Sequence, residues 1–367
     1  MDNAIIIPPF PNMEEQPPSP YQQLLDHGFQ IIDQPVLDLE ECAGAISGLW
    51  DWLESLNRGL RRDAPETWTS KTWPKNIHGI IEYPSVAHTL PVWQIRCNAK
   101  VIAPFATLWK TSPENLMVSF DRACIHRPSK HKKPQGSWLH IDQGPALRGP
   151  TCYQGFVTLA DMPKEGGTLT IVPDSQKYHD EFFQVFPERL YLLRKNKNKK
   201  TGLVEERKAD NRENWLRFTE EELKWFTDKG LKPIRIEAKA GQLVLWDSRC
   251  IHQGTYALPG YEHLWRYVVY VCYKPKPKAQ GAASKKALDR VLGKKRKAFE
   301  EGRTTSHWPV PEPLRKRGKE EWLGTKNFAI MPQFSKGQQP EPATSLKIRT
   351  LAQLMAVSPL GPSLAGF

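Results

Sequence analysis

The sequence lacks the features that mark membrane, secreted and zinc-binding chains. Its 367 residues contain no apolar run of membrane-spanning length, and residues 1–10 carry only a short apolar patch after an acidic second position, unlike a signal peptide. The six cysteines are scattered without a CxxC pair, which argues against a disulfide framework or a zinc site. We therefore expect a cytoplasmic, soluble protein with reduced thiols and no membrane partner.

Internal repeats and a regular alternation of strands with helices are also missing. What is present after Trp138 is a series of short β-branched and aromatic runs, separated by turn sequences rich in Gly, Pro and Asp. A hydrophobic content of 39%, with 13 Trp and 14 Phe, supports a substantial core. This pattern predicts a mainly β fold with flanking helices, built as an antiparallel sandwich or barrel. The runs lie at 152–160, 168–172, 233–238, 242–246 and 265–273.

Composition divides the chain into three parts. Residues 1–20 carry six prolines, which predicts a disordered arm. Residues 21–275 are expected to form one domain, interrupted at about 176–231 by a helical, basic insertion. Residues 276–367 are expected to form a basic helix and an irregular tail that packs on the core.

Three helix starts can be read from local signals. Asp38 with Glu41, and Thr219 with Glu222, have the spacing of capping boxes. Ser284 is a candidate N-cap for a helix after the last strand. The helical stripe that follows this cap is formed by Leu288, Val291, Lys295 and Phe299.

The net charge of +12 is unevenly distributed. Residues 274–303 contain eleven Lys or Arg against three Asp or Glu, and a second basic run occupies 194–200. Such segments are typical of nucleic-acid partners, but also of a solvated helix face and a surface loop. The cluster at 294–297 leaves a nuclear location open as an alternative to a cytoplasmic one.

One histidine and one aspartate stand two positions apart in the segment WLHIDQGP, residues 138–145. Chance alone gives roughly one such triplet in a chain of this composition. On an extended strand, however, His140 and Asp142 point to the same face and could hold a metal ion together. The alternative for this pair is a core histidine hydrogen-bonded to its neighbouring carboxylate.

A third ligand and an anion-binding group follow downstream. His252 comes after a hydrophobic strand and before a glycine, where its side chain can reach a cavity, and would complete a two-histidine, one-carboxylate site. Arg266 opens the next strand, and a buried guanidinium needs an anionic partner such as a dicarboxylate. Arg249, between these strands, is expected to have a structural role.

These motifs, in this order, resemble the phytanoyl-CoA dioxygenase family. The resemblance rests on His-x-Asp, the Gly-Gly-Thr turn in EGGTLTIVPDSQK, the distal histidine in IHQG and the downstream arginine, and covers roughly 115–273. It implies a double-stranded β-helix, or jelly roll, with Fe(II) as cofactor and 2-oxoglutarate and O2 as cosubstrates. It also implies that His140, Asp142 and His252 are the iron ligands and catalytic centre, and that Arg266 anchors the far carboxylate of 2-oxoglutarate.

The resemblance further implies an enzyme that oxidises a C–H bond while releasing succinate and carbon dioxide. Gln154 and Thr168, on core strands, are assigned with Arg266 to cofactor binding, and Trp138 to the pocket lining. His307 is expected to dock the tail onto the core. A monomer acting on a small molecule is expected; the alternatives are a nucleic-acid-directed oxygenase and a catalytically silent jelly roll that only binds.

Overall fold

The computed structural model describes residues 19–82, 84–128, 136–197, 204–277, 281–300, 302 and 304–309. The predicted arm, apart from its last two residues, and the tail beyond 309 lie outside these ranges. Within the described part of the chain, no helix combines the length and apolar character needed to cross a bilayer.

The described helices lie mostly before residue 110 and after residue 178. They are α1 (Gln22–His27), α2 (Leu39–Ser55), α3 (Leu90–Cys97), α4 (Ala99–Leu108), α5 (His179–Val185), α6 (Glu220–Asp228) and α7 (Gly281–Glu300).

The described strands are mostly short, and most of them lie after residue 115. They are β1 (Phe29–Ile31), β2 (Asn76–Ile77), β3 (Ile80–Ile81), β4 (Leu116–Val118), β5 (Ala123–His126), β6 (His140–Ile141), β7 (Tyr153–Thr158), β8 (Thr168–Ile171), β9 (Tyr191–Lys197), β10 (Val204–Asp210), β11 (Leu216–Arg217), β12 (Ile234–Arg235), β13 (Leu243–Asp247), β14 (His252–Thr255) and β15 (Arg266–Pro275).

Two antiparallel sheets form the body of the protein. The larger sheet has the order β1-β13-β7-β15-β5-β3-β2, with β4 also paired to β15, and the smaller has the order β11-β6-β14-β8-β12. Every strand pairing among the described residues is antiparallel. The protein is thus mainly β, with a jelly-roll core and flanking helices, which confirms the predicted fold class.

Side chains alternate across the strands, so each sheet contributes to two different packing layers. Phe156 and Val268 of the larger sheet pack between the sheets with Leu169 and Ile171 of the smaller one. The opposite face of the larger sheet, which includes Val157, packs against α2, α3 and α4. This layering leaves the space between the sheets as the place where buried polar groups can gather.

Both predicted capping boxes are present. The side chain of Asp38 accepts from the backbone N–H of Glu41 at 2.8 Å, and the Glu41 carboxylate accepts from the N–H of Asp38 at 2.8 Å. Thr219 and Glu222 make the same reciprocal pair at the start of α6. These local signals fixed the starts of α2 and α6 because each satisfies orphan N–H groups of the first helical turn.

The prediction of a helical insertion at about 176–231 is wrong for its middle. α5 and α6 lie near its ends, but β9 and β10 between them form an antiparallel hairpin, and β11 joins the smaller sheet. The basic run 194–200 therefore begins within a strand rather than a loop. Lys and Asn are weak strand formers, but a seven-residue ladder overrides that preference.

The helix after the last strand also differs from its prediction. α7 begins at Gly281, so Ser284 lies inside the helix and is not its N-cap. Lys295 is fully buried, although the basic residues of this segment were expected on a solvated face. Its ammonium donates to the backbone carbonyls of Val118 and of Pro309, the latter at 2.9 Å.

Candidate functional site

Three polar side chains meet at one end of the space between the sheets. His140 lies on β6 and His252 opens β14, and the two are directly paired in the smaller sheet. Asp142 follows β6 immediately, and its backbone N–H donates to the carbonyl of Ser248 at 2.9 Å. Because β6 and β14 come from segments over a hundred residues apart, the pairing brings together ligands that the chain separates.

The geometry of these side chains matches a metal site. Asp142 Oδ2 lies 3.2 Å from His252 Nε2 and 3.7 Å from His140 Nε2. One candidate ligand atom from each residue lies within 4.8 Å of the other two, and all three residues are buried. Two imidazoles and one carboxylate are the ligand set that non-haem Fe(II) uses in its facial arrangement.

The other ring nitrogen of each histidine fixes its tautomer. His140 Nδ1 lies 3.1 Å from the carbonyl oxygen of Trp138, and His252 Nδ1 lies 2.9 Å from that of Cys250. A carbonyl oxygen can only accept, so each Nδ1 carries a proton, and in a neutral ring the lone pair is then on Nε2. Both Nε2 atoms are therefore oriented and available as metal ligands.

The charge states also suit a metal ion. Burial lowers the pKa of His140, and the neighbouring His252 lowers it further, so its imidazole is neutral at physiological pH. Burial raises the pKa of Asp142, but His307, His140 and His252 outweigh this effect and hold it well below its usual range. The centre thus offers one carboxylate and uncharged nitrogen, as a divalent cation requires.

Gln154 and Trp138 support these side chains. Gln154 Nε2 donates to Asp142 Oδ2 at 3.0 Å from the inner face of β7. The Trp138 ring stacks on His140 with centroids 4.6 Å apart, and its Nε1 donates to the carbonyl of Gly254 at 2.9 Å. Gln154 therefore meets the predicted site through Asp142, and Trp138 holds the ring of His140 in place.

Arg266 is the anion-binding candidate, and its guanidinium lacks an oxygen partner. It is 2% exposed, its Nη1 lies 3.4 Å from Cys124 Sγ, and its Nε and Nη2 are buried without a hydrogen-bond partner in the structure. Its carbon Cζ lies 5.5 Å from the Phe156 ring centre. A buried guanidinium in this condition is costly unless an anion completes it.

Arg266 belongs to the same space as the three ligands. A Cβ placed on Gly254 would lie 3.7 Å from Trp138 Cζ2 and 3.8 Å from Arg266 Nη1. Trp138 in turn stacks on His140. Gly254 therefore lies between the guanidinium and Trp138, which links Arg266 to the ligand His140.

Thr168 is placed elsewhere. Its hydroxyl donates to the carbonyl of Ile236 at 2.6 Å, and alternation on β8 puts it opposite Leu169, which packs between the sheets. The predicted contact of Thr168 with the cofactor therefore has no support, and we do not retain it. Arg249 has the structural role expected of it, pairing with Asp247 through two N–H···O contacts of 3.0 and 2.7 Å.

Two residues near the centre escaped sequence reasoning. His307, expected only to dock the tail, has its Nδ1 3.8 Å from Asp142 Oδ2. Trp215, in the insertion just before β11, lies 5.8 Å from the His140 ring and is 48% exposed. Neither residue belongs to a sequence motif, because each reaches the site through tertiary contacts. For Trp215, the one weak signal in the sequence was an aromatic residue next to β11.

Part of the chain matches a known protein family. Residues 118–256 match the phytanoyl-CoA dioxygenase (PhyH) family, a stretch that contains all three candidate ligands. Over this stretch the chain resembles the phytanoyl-CoA dioxygenase family. The match supports a 2-oxoglutarate-dependent oxygenase, and His140, Asp142 and His252 could bind its metal.

Two curated relatives come from a fungus and an amoeba. Ava biosynthesis cluster protein O of Aspergillus versicolor is 29% identical over 266 residues, covering 71% of this chain and 76% of that protein. A putative phytanoyl-CoA dioxygenase of Dictyostelium discoideum is 28% identical over 134 residues, covering 35% of this chain and 37% of that protein.

A solved structure has the same fold over most of the chain. The crystal structure of the GlcNAc Inducible Gene 2 protein from Candida albicans covers 91% of this chain and 81% of its own, with a TM-score of 0.51 and 15% identity. At this identity the likeness extends to the fold alone.

Proposed function

We propose that the protein oxidises a C–H bond of a small organic molecule, with conversion of 2-oxoglutarate to succinate and carbon dioxide. His140, Asp142 and His252 would hold Fe(II), and Arg266 would bind the far carboxylate of 2-oxoglutarate. The observation that carries the proposal is the unpartnered, buried guanidinium of Arg266, which Gly254 and Trp138 connect to the ligand His140.

Each residue has a defined task in this proposal. The Asp142 carboxylate offsets part of the metal charge, and Gln154 keeps one of its oxygens oriented. The bound Fe(II) would supply electrons for the activation of O2, which is the oxidant of the reaction. Arg266 would orient the cosubstrate through paired N–H···O bonds, which are strong here because neighbours such as Phe156 exclude water.

The class of substrate rests on a relative and on the shape of the site. The Aspergillus versicolor relative is named for a biosynthesis cluster, which suggests a small metabolite for this chain as well. Trp215 offers a half-exposed aromatic face beside His140, suited to a flat or apolar molecule. We therefore propose that the substrate approaches between Trp215 and the metal centre.

The test compares two buried carboxylates. Asp142→Asn removes the anionic ligand, whereas Asp247→Asn removes a buried carboxylate that pairs only with Arg249. We expect wild type and Asp247→Asn to form the visible charge-transfer band of Fe(II) with 2-oxoglutarate under argon, and Asp142→Asn to lose it. The Asp247→Asn protein should instead show a lower melting temperature.

Succinate formation in air then tests the reaction and its substrate class. We expect slow, uncoupled succinate release from wild type, which pooled small metabolites accelerate and oligonucleotides and peptides do not. Absence of both the charge-transfer band and succinate in folded wild type would refute the function. Acceleration by oligonucleotides alone would replace the small molecule with a nucleic acid.

A further inference from the structure

A short segment after α7, residues 304–309, lies against the jelly roll; we call it the C-terminal strap. Thr305 is joined to Phe120 by two hydrogen bonds, from its backbone N–H to the Phe120 carbonyl at 3.0 Å and from the Phe120 N–H to its Oγ1 at 2.8 Å. At the other end, the Lys295 ammonium donates to the carbonyl of Pro309 at 2.9 Å. The strap is therefore held on both sides of His307.

An anchor next to His307 fixes the strap further. Trp308 is 6% exposed and packs on the buried Cys152 and Cys272. The Lys274 ammonium lies 4.9 Å from the centre of its ring. A buried Trp with a cation on its face is a rigid anchor, so the neighbouring side chain has little freedom of position.

The side chain that these contacts hold in place is His307. Its Nδ1 lies 3.8 Å from Asp142 Oδ2, the oxygen that also faces His140 and His252. Its Nε2 is buried without a hydrogen-bond partner in the structure. The His307 ring is thus aimed at the carboxylate of the metal centre from the side of the strap.

His307 is not placed as a fourth ligand. Among the described residues, the set whose ligand atoms all lie within 4.8 Å of one another consists of His140, Asp142 and His252. His307 approaches the carboxylate alone and stands outside this set. Its position is that of a group that contacts a ligand rather than the metal.

We propose that His307 is a positioning residue that orients the Asp142 carboxylate, so that the C-terminal strap completes the metal centre. The inference rests on the proposed function, because it assigns a role toward the same iron site. His307 and Gln154 then hold Asp142 from two sides. Partners of this kind usually contribute a factor of about 10–100 to metal affinity.

The experiment separates hydrogen bonding from packing by two substitutions in the full chain. Leu and Gln are both close to imidazole in size, but only Gln can donate a hydrogen bond to the carboxylate. We expect His307→Leu to bind Co(II) about 10–100 times more weakly than wild type, with changed visible absorption bands. His307→Gln should recover affinity to within about threefold and restore the wild-type bands.

A matched control removes a different imidazole–carboxylate pair. His27 Nδ1 lies 3.2 Å from Asp174 Oδ1, away from the three candidate ligands. His27→Ala should bind Co(II) as wild type does. Thermal melting of all variants confirms that each is folded before titration.

Two results would overturn the inference. Equal Co(II) affinity and identical spectra in His307→Leu and wild type would reduce His307 to a packing residue while the proposed function stands. Equal weakening in the Leu and Gln variants would also exclude hydrogen bonding as the cause. Failure of wild type itself to bind Co(II) would instead refute the metal centre, and the inference with it.

Discussion

Among the described residues two guanidinium groups are buried, those of Arg96 and Arg266, and they differ in their hydrogen-bond partners. Arg96, on α3 beside the outer face of the larger sheet, donates to the backbone carbonyls of Ala87 and Asp121 and lies against the Trp93 ring. The guanidinium of Arg266, between the sheets, has a hydrogen-bond contact only with the thiol of Cys124 among the described residues. Arg96 has two backbone carbonyl acceptors and leaves its Nε unpartnered, whereas among the described residues no oxygen accepts from the guanidinium of Arg266.

The two arginines differ in how the charge of the buried guanidinium is stabilised. Burial lowers the pKa of Arg96 to about 10, so it remains a cation at neutral pH and is stabilised by carbonyl oxygens. Within the described part of the chain, no oxygen atom accepts a hydrogen bond from the Arg266 guanidinium. Burial and residue type are alike at the two positions, so the difference in oxygen acceptors is the reason why we expect Arg266, and not Arg96, to bind an anion.

The largest expected effect is on cosubstrate affinity at Arg266. Arg266→Gln should weaken 2-oxoglutarate binding roughly 100-fold or more, because two hydrogen bonds to a charged partner, at about 1.5–3 kcal/mol each, are lost. Anaerobic titration of 2-oxoglutarate into the Fe(II)-loaded proteins, followed by the charge-transfer band, measures it. Equal affinities in two folded proteins would show that Arg266 does not hold the cosubstrate.

Arg96 should respond in the opposite way. Arg96→Gln should lower the free energy of unfolding by about 2–3 kcal/mol, because it leaves two carbonyls without their donors and removes the stacking on Trp93. Its affinity for 2-oxoglutarate should stay at the wild-type value. Urea unfolding and the same anaerobic titration test both parts. If Arg96→Gln also lost affinity for 2-oxoglutarate, the two arginines would not differ in role.

Lys295 is a further buried basic side chain, and its effect on stability should depend on pH. Burial, and secondarily Arg96, lower the pKa of Lys295 to about 7. In the unfolded chain its pKa is near 10.5, so between these values the unfolded state binds a proton that the folded state does not. Stability should therefore rise with pH, by about 1–2 kcal/mol from pH 7 to 9.

Lys295→Met isolates this contribution from the other titrating groups. The free energy of unfolding of wild type, minus that of the variant, should increase from pH 7 to 9. Urea unfolding at each pH supplies both curves. Parallel curves would mean that Lys295 carries its proton in the fold as it does in the unfolded chain.

Sequence reasoning succeeded where the signal was local or periodic. The His-x-Asp spacing, the capping boxes and the β-rich runs depend on neighbouring residues, and the structure has them where they were expected. Lys295 also carried a signal, since it stood in the helical stripe with Leu288 and Phe299, and its position rather than its charge indicated burial. The many basic residues around Lys295 made a solvated helix face the more obvious interpretation.

The features that could not be predicted from the sequence depend on contacts between distant segments of the chain. His307 reaches Asp142 only because Lys295, Thr305 and Trp308 fasten the strap to the core. The hairpin of β9 and β10 forms by pairing of two charged stretches whose residues are individually weak strand formers. Such contacts are decided by tertiary structure, and no spacing along the chain encodes them.

The pairing of β1 with β13 has a consequence for how the protein is made. Ile31 faces Val244 across the sheet, so the first strand must wait until the ribosome has added its partner. At about 5–20 residues per second, that delay is roughly 10–45 s. During this interval the nascent chain exposes an unpaired strand edge and holds His140 and Asp142 without His252. Metal loading is then necessarily a late event, and a chaperone that shields the waiting edge should raise the yield of iron-competent enzyme.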